Sequence, residues 1–293
     1  MAKNSADCRP QMMEPIKLLF TLDQNYLPQL QVVLTSLRLN NPGEQFDIYL
    51  MHRGLTSEDL TLLEERCAAY GWTLTAITVD ASLFDGAPVT KQYPQEMYYR
   101  MLAPHLLPEH IERVLYLDPD ILVINPLRPL WETELDGRLF AAAAHTGKTE
   151  LVSSVNRVRL NVENDYFNSG VLLIDCAAGR QLIEPQTLFD YTAEHGNLLI
   201  LPDQDLLNRL FGAQVLPLED ARWNYDARDF RGYYLTSGGR MTVDWVMENT
   251  AILHFCGKAK PWKPNYRYRF GMLYKHYERL TRHELAQFTE IQV

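Results

Sequence analysis

The sequence predicts an α/β fold, one domain with C-terminal elaborations. Three observations carry this. Short apolar runs alternate with segments of helical periodicity, the order expected when helices cover a sheet. A hydrophobic fraction of 46% and a charged fraction of 22% are those of a folded, soluble chain. Within the 293 residues there is no internal repeat or low-complexity linker to divide the domain.

The elements follow in order. Lys17–Leu22 reads as the first strand. Pro28 then falls in the first turn of a helix whose Leu27, Leu30, Leu34 and Leu37 keep a 3-4-3 spacing up to the turn Asn40-Asn41-Pro42-Gly43. Phe46–Met51 is a second strand. Ser57 is placed to cap the next helix, with Glu58 and Asp59 in its first turn and Leu60, Leu63, Cys67 and Tyr70 on one face. Further strands are expected at Trp72–Val79, Arg113–Leu117, Ala141–Ala144, Gly170–Ile174 and Ala251–Phe255, and a helix over much of Phe270–Gln287. The polar, aperiodic start reads as a disordered leader, residues 1–14, ahead of a domain over 15–262 and an extension over 263–293.

A net charge of −9 argues against a general affinity for nucleic acid. Cys8, Cys67, Cys176 and Cys256 are widely spaced without a CxxC pair, so neither a zinc site nor a disulfide framework follows, and a reducing compartment is indicated. No apolar run approaches the roughly 20 residues of a membrane span. The tail departs from the acidic whole: Lys258 to Val293 holds eight Lys/Arg against three Glu, interleaved with Trp262, Tyr266, Tyr268, Phe270, Tyr274 and Tyr277. A docked helix with a solvated basic face explains this, and so does attraction to an anionic membrane surface or acceptor.

The first strand–helix junction, Thr21-Leu22-Asp23-Gln24-Asn25-Tyr26, lacks the glycines of a dinucleotide fingerprint or P-loop. Its side chains suit a nucleoside instead: a carboxylate for an imide N–H, an amide for ribose hydroxyls and a ring for the base. Asp23 or Asn25 as a helix cap accounts for the same residues. In VLYLDPDILV, Asp118 and Asp120 stand two apart after a strand, on one face and about 7 Å apart at Cα. Like charges so placed push one pKa upward unless a divalent cation joins them. An EF-hand is excluded, because the loop lacks the glycine and glutamate that motif needs. His254, in HFCGKAKPW, supplies a third candidate ligand, and Gly257, Lys258 and Lys260 follow it. Two carboxylates and an imidazole tip the choice toward Mn²⁺, with Mg²⁺ as the alternative.

With FTLDQNYLPQLQVVLTSL, YYRMLAP, VLYLDPDILV, PLW, YFNSGVLLID, DQDLLN, LPLEDARWNY and HFCGKAKPW in this order, the chain resembles glycosyltransferase family 8 from about Ile16 to Trp262. That family includes bacterial lipopolysaccharide galactosyl- and glucosyltransferases and glycogenin. The resemblance implies the GT-A fold, a mixed, mostly parallel sheet flanked by helices with a C-terminal helical extension. It also implies a Mn²⁺-dependent, retaining hexosyltransferase that moves galactose or glucose from a UDP-sugar to a glycan or lipid-linked saccharide. Asp118, Asp120 and His254 would hold the metal; Thr21, Asp23, Asn25 and Tyr26 would bind uridine, and Gly257 and Lys260 the diphosphate. Arg100 would contact sugar and diphosphate, and Asn168, Gly170, Asp203 and Gln204 would line the sugar, with Asp203, Gln204 and Arg100 nearest the chemistry. Asp203 can also cap the helix through Leu206, Leu207 and Leu210. The loop His145-Thr146-Gly147 departs from the family, which often has an acidic residue there. The implied setting is bacterial and cytoplasmic, with peripheral contact at the inner face of the membrane through the basic tail.

For retention, either Asp203 or Asp205 attacks the anomeric carbon, or departure and attack share one face with a UDP oxygen taking the acceptor's proton; the second is preferred. A catalytically silent UDP-sugar-binding protein and a metal-dependent phosphohydrolase are the rival readings.

Overall fold

The computed structural model describes residues 13–79, 84, 96–144 and 155–291. Most of the expected leader and the 145–147 loop lie outside these. The main sheet is built from β1 (Ile16–Asp23), β2 (Phe46–Arg53), β3 (Thr73–Thr78), β4 (Arg113–Leu117), β6 (Phe140–Ala143), β7 (Val171–Asp175) and β8 (Val215–Leu218). Their spatial order is β3-β2-β1-β4-β7-β6-β8. Every neighbouring pair is parallel except those made by β7, which runs against both β4 and β6. The sheet is therefore mixed and mostly parallel, as expected.

Helices cover both faces, which explains the unbroken apolar runs. Along β1, Leu18 and Phe20 enter one core with Leu30 and Leu34 of α1 (Leu27–Asn40), while Leu19 enters the other with Tyr98 and Leu102 of α3 (Glu96–Leu106). All three strand residues are fully buried, each contributing about 1.5–3 kcal/mol. Between α1 and α3, α2 (Ser57–Ala69) starts one residue earlier than a Ser57 cap would require. Thr56 is the cap: its hydroxyl accepts from the Asp59 N–H and the Asp59 carboxylate accepts from the Thr56 N–H, a reciprocal box that Ser57 cannot make.

A second, small sheet positions the site. β5 (Ile121–Val123) pairs antiparallel with β10 (Ile252–His254), which pairs parallel with β9 (Tyr225–Asp226). In that register His254 lies opposite Ile121, and the Phe255 N–H donates to the Asp120 carbonyl at 2.9 Å. β10 falls within the strand expected at Ala251–Phe255, whereas β5 and β9, of three and two residues, carry no periodicity and were not expected.

The remaining helices include α4 (Arg128–Trp131), α5 (155–160), α6 (Cys176–Leu182), α7 (Pro185–His195) and α8 (Pro202–Phe211). After α9 (Asp220–Trp223), α10 (Phe230–Thr236) and α11 (Val243–Asn249) comes the terminal α12 (Gly271–Ile291). Its Tyr274 and Tyr277, with Phe270 just before it, are buried. Phe270, Tyr274 and Tyr277 thus form an inward-facing stripe, while Trp262 and Tyr266 are half-buried and Tyr268 is exposed. No helix among the described residues is long and apolar enough to cross a membrane.

Candidate functional site

β4 delivers Asp118 to the carboxyl edge of the sheet, and the chain turns at Pro119-Asp120 before β5. The turn brings the carboxylates together beyond what an extended strand allows. Asp118 is fixed on three sides. Its N–H donates to the Gly170 carbonyl at 2.8 Å, and its Oδ1 accepts from the Tyr116 hydroxyl at 2.5 Å and pairs with Arg100 Nη1 at 3.1 Å. His254 Nε2 lies 3.2 Å from Asp120 Oδ1 and 3.8 Å from Asp118 Oδ2. One ligand atom from each of the three lies within 4.8 Å of the others.

The orientation of the imidazole follows from an amide chain. The Gly170 N–H can only donate, so Asn168 presents Oδ1 to it at 2.9 Å. Asn168 Oδ1 also accepts from Asn224 Nδ2 at 2.9 Å, which turns Asn224 Oδ1 toward His254 Nδ1 at 2.8 Å. His254 Nδ1–H donates there, which leaves Nε2 as the nitrogen turned toward the carboxylates, the one a metal-binding histidine must offer. Gly170 is required by close approach: a Cβ would stand 2.3 Å from His254 Cε1 and 2.6 Å from Asp118 Oδ2.

The two aspartates titrate apart. Burial raises Asp118 even against the Arg100 guanidinium. Asp120 feels the same burial, but His254 and Lys260 outweigh it and hold its carboxyl well below the usual range. Lys260 is buried; its ammonium donates to Asp120 Oδ2 and, at 2.9 Å, to the Phe255 carbonyl. Lys258 is exposed. Gly257 between them adopts φ +76°, a left-handed conformation that favours glycine.

Arg100 Nη1 joins Asp118 to Asp203, 2.9 Å from Asp203 Oδ2, and donates to the Ser169 carbonyl at 3.1 Å. Burial would lower the Arg100 pKa, but the Asp118 and Asp203 carboxylates raise it. The capping role expected of Asp203 falls elsewhere. α8 begins at Pro202 without a side-chain cap, and Asp203 accepts instead from the Ser169 hydroxyl at 2.8 Å. Asp205 is the residue that secures the helix start, accepting from the Ile200 and Leu201 N–H groups at 2.7 and 3.1 Å. Asp205 is also fully buried against Tyr166 and Arg159, which removes it as a nucleophile. Gln204 Oε1 accepts from Asn168 Nδ2 at 3.0 Å.

At the end of β1, Asp23 accepts from the backbone and side-chain amides of Asn25, both at 2.9 Å, so it caps the short 3₁₀ turn Gln24–Tyr26. It does not cap α1, whose own cap residue is Tyr26. The Thr21 hydroxyl lies 3.2 Å from that of Tyr116, and the Tyr26 ring meets the Trp262 ring edge-on at 6.1 Å. A cavity of about 360 Å³ opens at the acidic centre, lined by Asp118, Asp120, Asn168, Asp203, Gln204 and His254 among others; Thr21, Asp23, Asn25 and Tyr26 are not part of its lining. Asn224, Ser169 and Tyr116 complete the site and were not singled out from sequence. Ser169 and Asn224 lie inside the quoted segments YFNSGV and DARWNY, which is the signal that could have found them.

A mixed sheet with one reversed strand, and an acidic centre at its carboxyl edge, define the GT-A class of α/β fold. The family model for glycosyl transferase family 8 matches residues 17–266, and the chain belongs to that family. It is similar to general stress protein A of Bacillus subtilis, 29% identical over 266 residues that cover 89% of this chain and 92% of that one. It is 23% identical to the lipopolysaccharide 1,2-glucosyltransferase of Escherichia coli, covering 85% and 74% of the two chains. The crystal structure of the galactosyltransferase LgtC with donor and acceptor sugar analogues matches with a TM-score of 0.74 at 21% identity, covering 90% of this chain and 95% of that one.

Proposed function

We propose that this protein is a retaining hexosyltransferase that moves galactose or glucose from a UDP-sugar to a glycan or lipid-linked saccharide, with Mn²⁺ as its cofactor. The observation that carries the reading is the convergence of Asp118, Asp120 and His254, with ligand atoms within 4.8 Å, at the strand ends where open α/β sheets bind ligands. Two carboxylates and a neutral imidazole fit a hard divalent ion with some nitrogen affinity. When bound, such an ion neutralises charge on the departing diphosphate.

The chain's own groups divide the remaining work. Thr21, Asp23, Asn25 and Tyr26 receive the uridine. Gly257 lets the backbone approach the diphosphate, and Lys260 places a buried cation where negative charge grows as the glycosyl–phosphate bond breaks. Arg100, Asn168, Gly170, Asp203 and Gln204 hold the hexose. Asp203 is already tied to Arg100 and Ser169, and Asp205 is sealed in the core. This supports same-face attack. The acceptor oxygen bonds to the anomeric carbon, the bond to UDP breaks, and the acceptor proton leaves on a UDP oxygen.

The relatives named as lipopolysaccharide glucosyl- and galactosyltransferases support a cell-surface glycan as product. Contact with the inner face of the membrane falls to exposed cations of the tail, because Phe270, Tyr274 and Tyr277 are packed inward. The test is UDP release from a panel of UDP-sugars in Mn²⁺, with and without acceptor. Release from UDP-galactose or UDP-glucose that vanishes in chelator is expected. Chelator-resistant release, or none from any UDP-sugar, would reject the reading.

A further inference from the structure

The residues given to the donor leave Arg228 unassigned in the cavity wall, where it lies with Cys256 and against Gly257, the glycine given to the diphosphate. Arg228 follows β9 and is clamped by a neighbour two residues back. Its Nε and Nη2 donate to the two Asp226 oxygens at 2.9 and 2.7 Å, and its backbone N–H donates to Oδ1 at 2.9 Å. Asp226 is 2% exposed at its side chain and Arg228 30%, so a buried carboxylate aims a half-exposed guanidinium. Nη1 takes no part in the clamp. It stands 2.2 Å from where a Cβ on Gly257 would lie, so the glycine leaves that space to the arginine. A planar fork held in this way is preorganised to meet phosphate or carboxylate oxygens.

The Asp226–Arg228 pair is near neutral by itself, and the positive balance comes from its surroundings. Lys258 is exposed just past Gly257. A groove of about 810 Å³ then opens, with the rings of Trp262, Tyr266 and Tyr268 beside the cations Lys263, Arg267 and Arg269. Its described lining has no acidic residue. Arg228 and Gly257 line the cavity, and the groove begins four residues on, at Pro261. Aromatic faces with a few charged groups suit a saccharide, and on a protein of net charge −9 a local positive field selects for anions.

We propose that the acceptor is an anionic saccharide, bearing a phosphate or carboxylate, and that Arg228 is the residue that reads this anion. The inference rests on the UDP-sugar transferase reading and names its acceptor class. The test is calorimetric titration of the full-length protein, saturated with UDP and Mn²⁺, using glucose, glucose 6-phosphate and glucuronate as probes. At least one anionic probe should bind about tenfold tighter than glucose, the gain of one charge-assisted contact. The two anionic arms distinguish phosphate from carboxylate. Arg228→Gln should collapse the preference to about threefold or less. Because that variant strands a buried carboxylate, the double variant Asp226→Asn/Arg228→Gln is measured beside it and should lose the preference equally. Equal affinities in the unmutated protein, a preference that survives both variants, or inorganic phosphate binding as tightly as glucose 6-phosphate would each overturn the proposal. Failure of the unmutated protein to bind UDP would instead defeat the donor reading on which it rests.

Discussion

Each side chain around the acidic centre has a distinct electrostatic duty. Asp118 and Asp120 share His254 as a neighbour, yet Arg100 pairs with the first and Lys260 with the second. Replacing either aspartate by asparagine keeps its shape and removes its charge. Asp118→Asn and Asp120→Asn should each abolish Mn²⁺-dependent UDP-sugar turnover while circular dichroism stays native. Full turnover in either variant would remove that residue from the metal site. The lysines give a sharper contrast, because Lys260 is buried on Asp120 and Lys258 faces solvent. Lys260→Ala should cut kcat by about a hundredfold, comparable to losing one preorganised electrostatic contact to the leaving group. Lys258→Ala should leave kcat within about threefold, since an exposed charge is screened. Base choice tests Asp23, whose two oxygens each keep a lone pair after accepting from Asn25. Facing a cytosine acceptor, that carboxylate loses a partner at a cost of about 1–3 kcal/mol. UDP should therefore bind about tenfold tighter than CDP, and Asp23→Ala should narrow the gap in calorimetry.

Among the elements, α12 decides how the basic tail is held. Arg66 of α2 is fully buried between α1 and α12. It donates to the Gln31 carbonyl at 2.9 Å, the Tyr70 hydroxyl at 2.7 Å and Glu284 Oε2 at 2.9 Å. Arg38 of α1 takes the other oxygen of Glu284 at 3.0 Å, and Thr35 meets Thr281 at 2.8 Å. A buried guanidinium that loses its counter-charge cannot recover water, so Glu284→Ala should destabilise the fold by about 3 kcal/mol. A lowered urea midpoint with an unchanged slope is the expected record. A midpoint equal to that of the parent would mean that α12 is held by its aromatic stripe alone.

For the whole molecule, the site is stitched from distant parts of the chain: β4, the start of β7, α8 and β10 all meet at one edge of the sheet. A cation that binds only when these converge stabilises the native state by mass action. At a hundred times its Kd, Mn²⁺ should add about 2.7 kcal/mol and raise the melting temperature by about 5 °C. Asp120→Asn should abolish the rise. An equal rise in that variant would place the ion elsewhere.

Much of this was legible in sequence because it is local. Leu18, Phe20 and Leu22 enter one apolar core and Leu19 the other, so β1 reads as a hydrophobic run, and β4 reads likewise up to the abrupt Asp118. The α/β class, most long elements and the three candidate metal ligands follow from such runs and from the ordered motifs of the family. The rest depends on groups far apart in sequence. The cap expected at Ser57 is a local miss, since the reciprocal bond with Asp59 belongs to Thr56. Asp203 and Asp205 sit on one helical turn, and only packing against Arg159 and Tyr166 buries the second while the first faces the cavity. The amide chain from Gly170 through Asn168 and Asn224 to His254 runs from residue 168 to residue 254 and has no periodic trace. Sequence determines which side chains are available and which strands are buried, because periodicity and apolar content act over a few residues. Tertiary structure alone decides which carboxylate is exposed, which nitrogen of His254 is offered and where the basic groove opens, because partners brought together by folding set burial and hydrogen bonding.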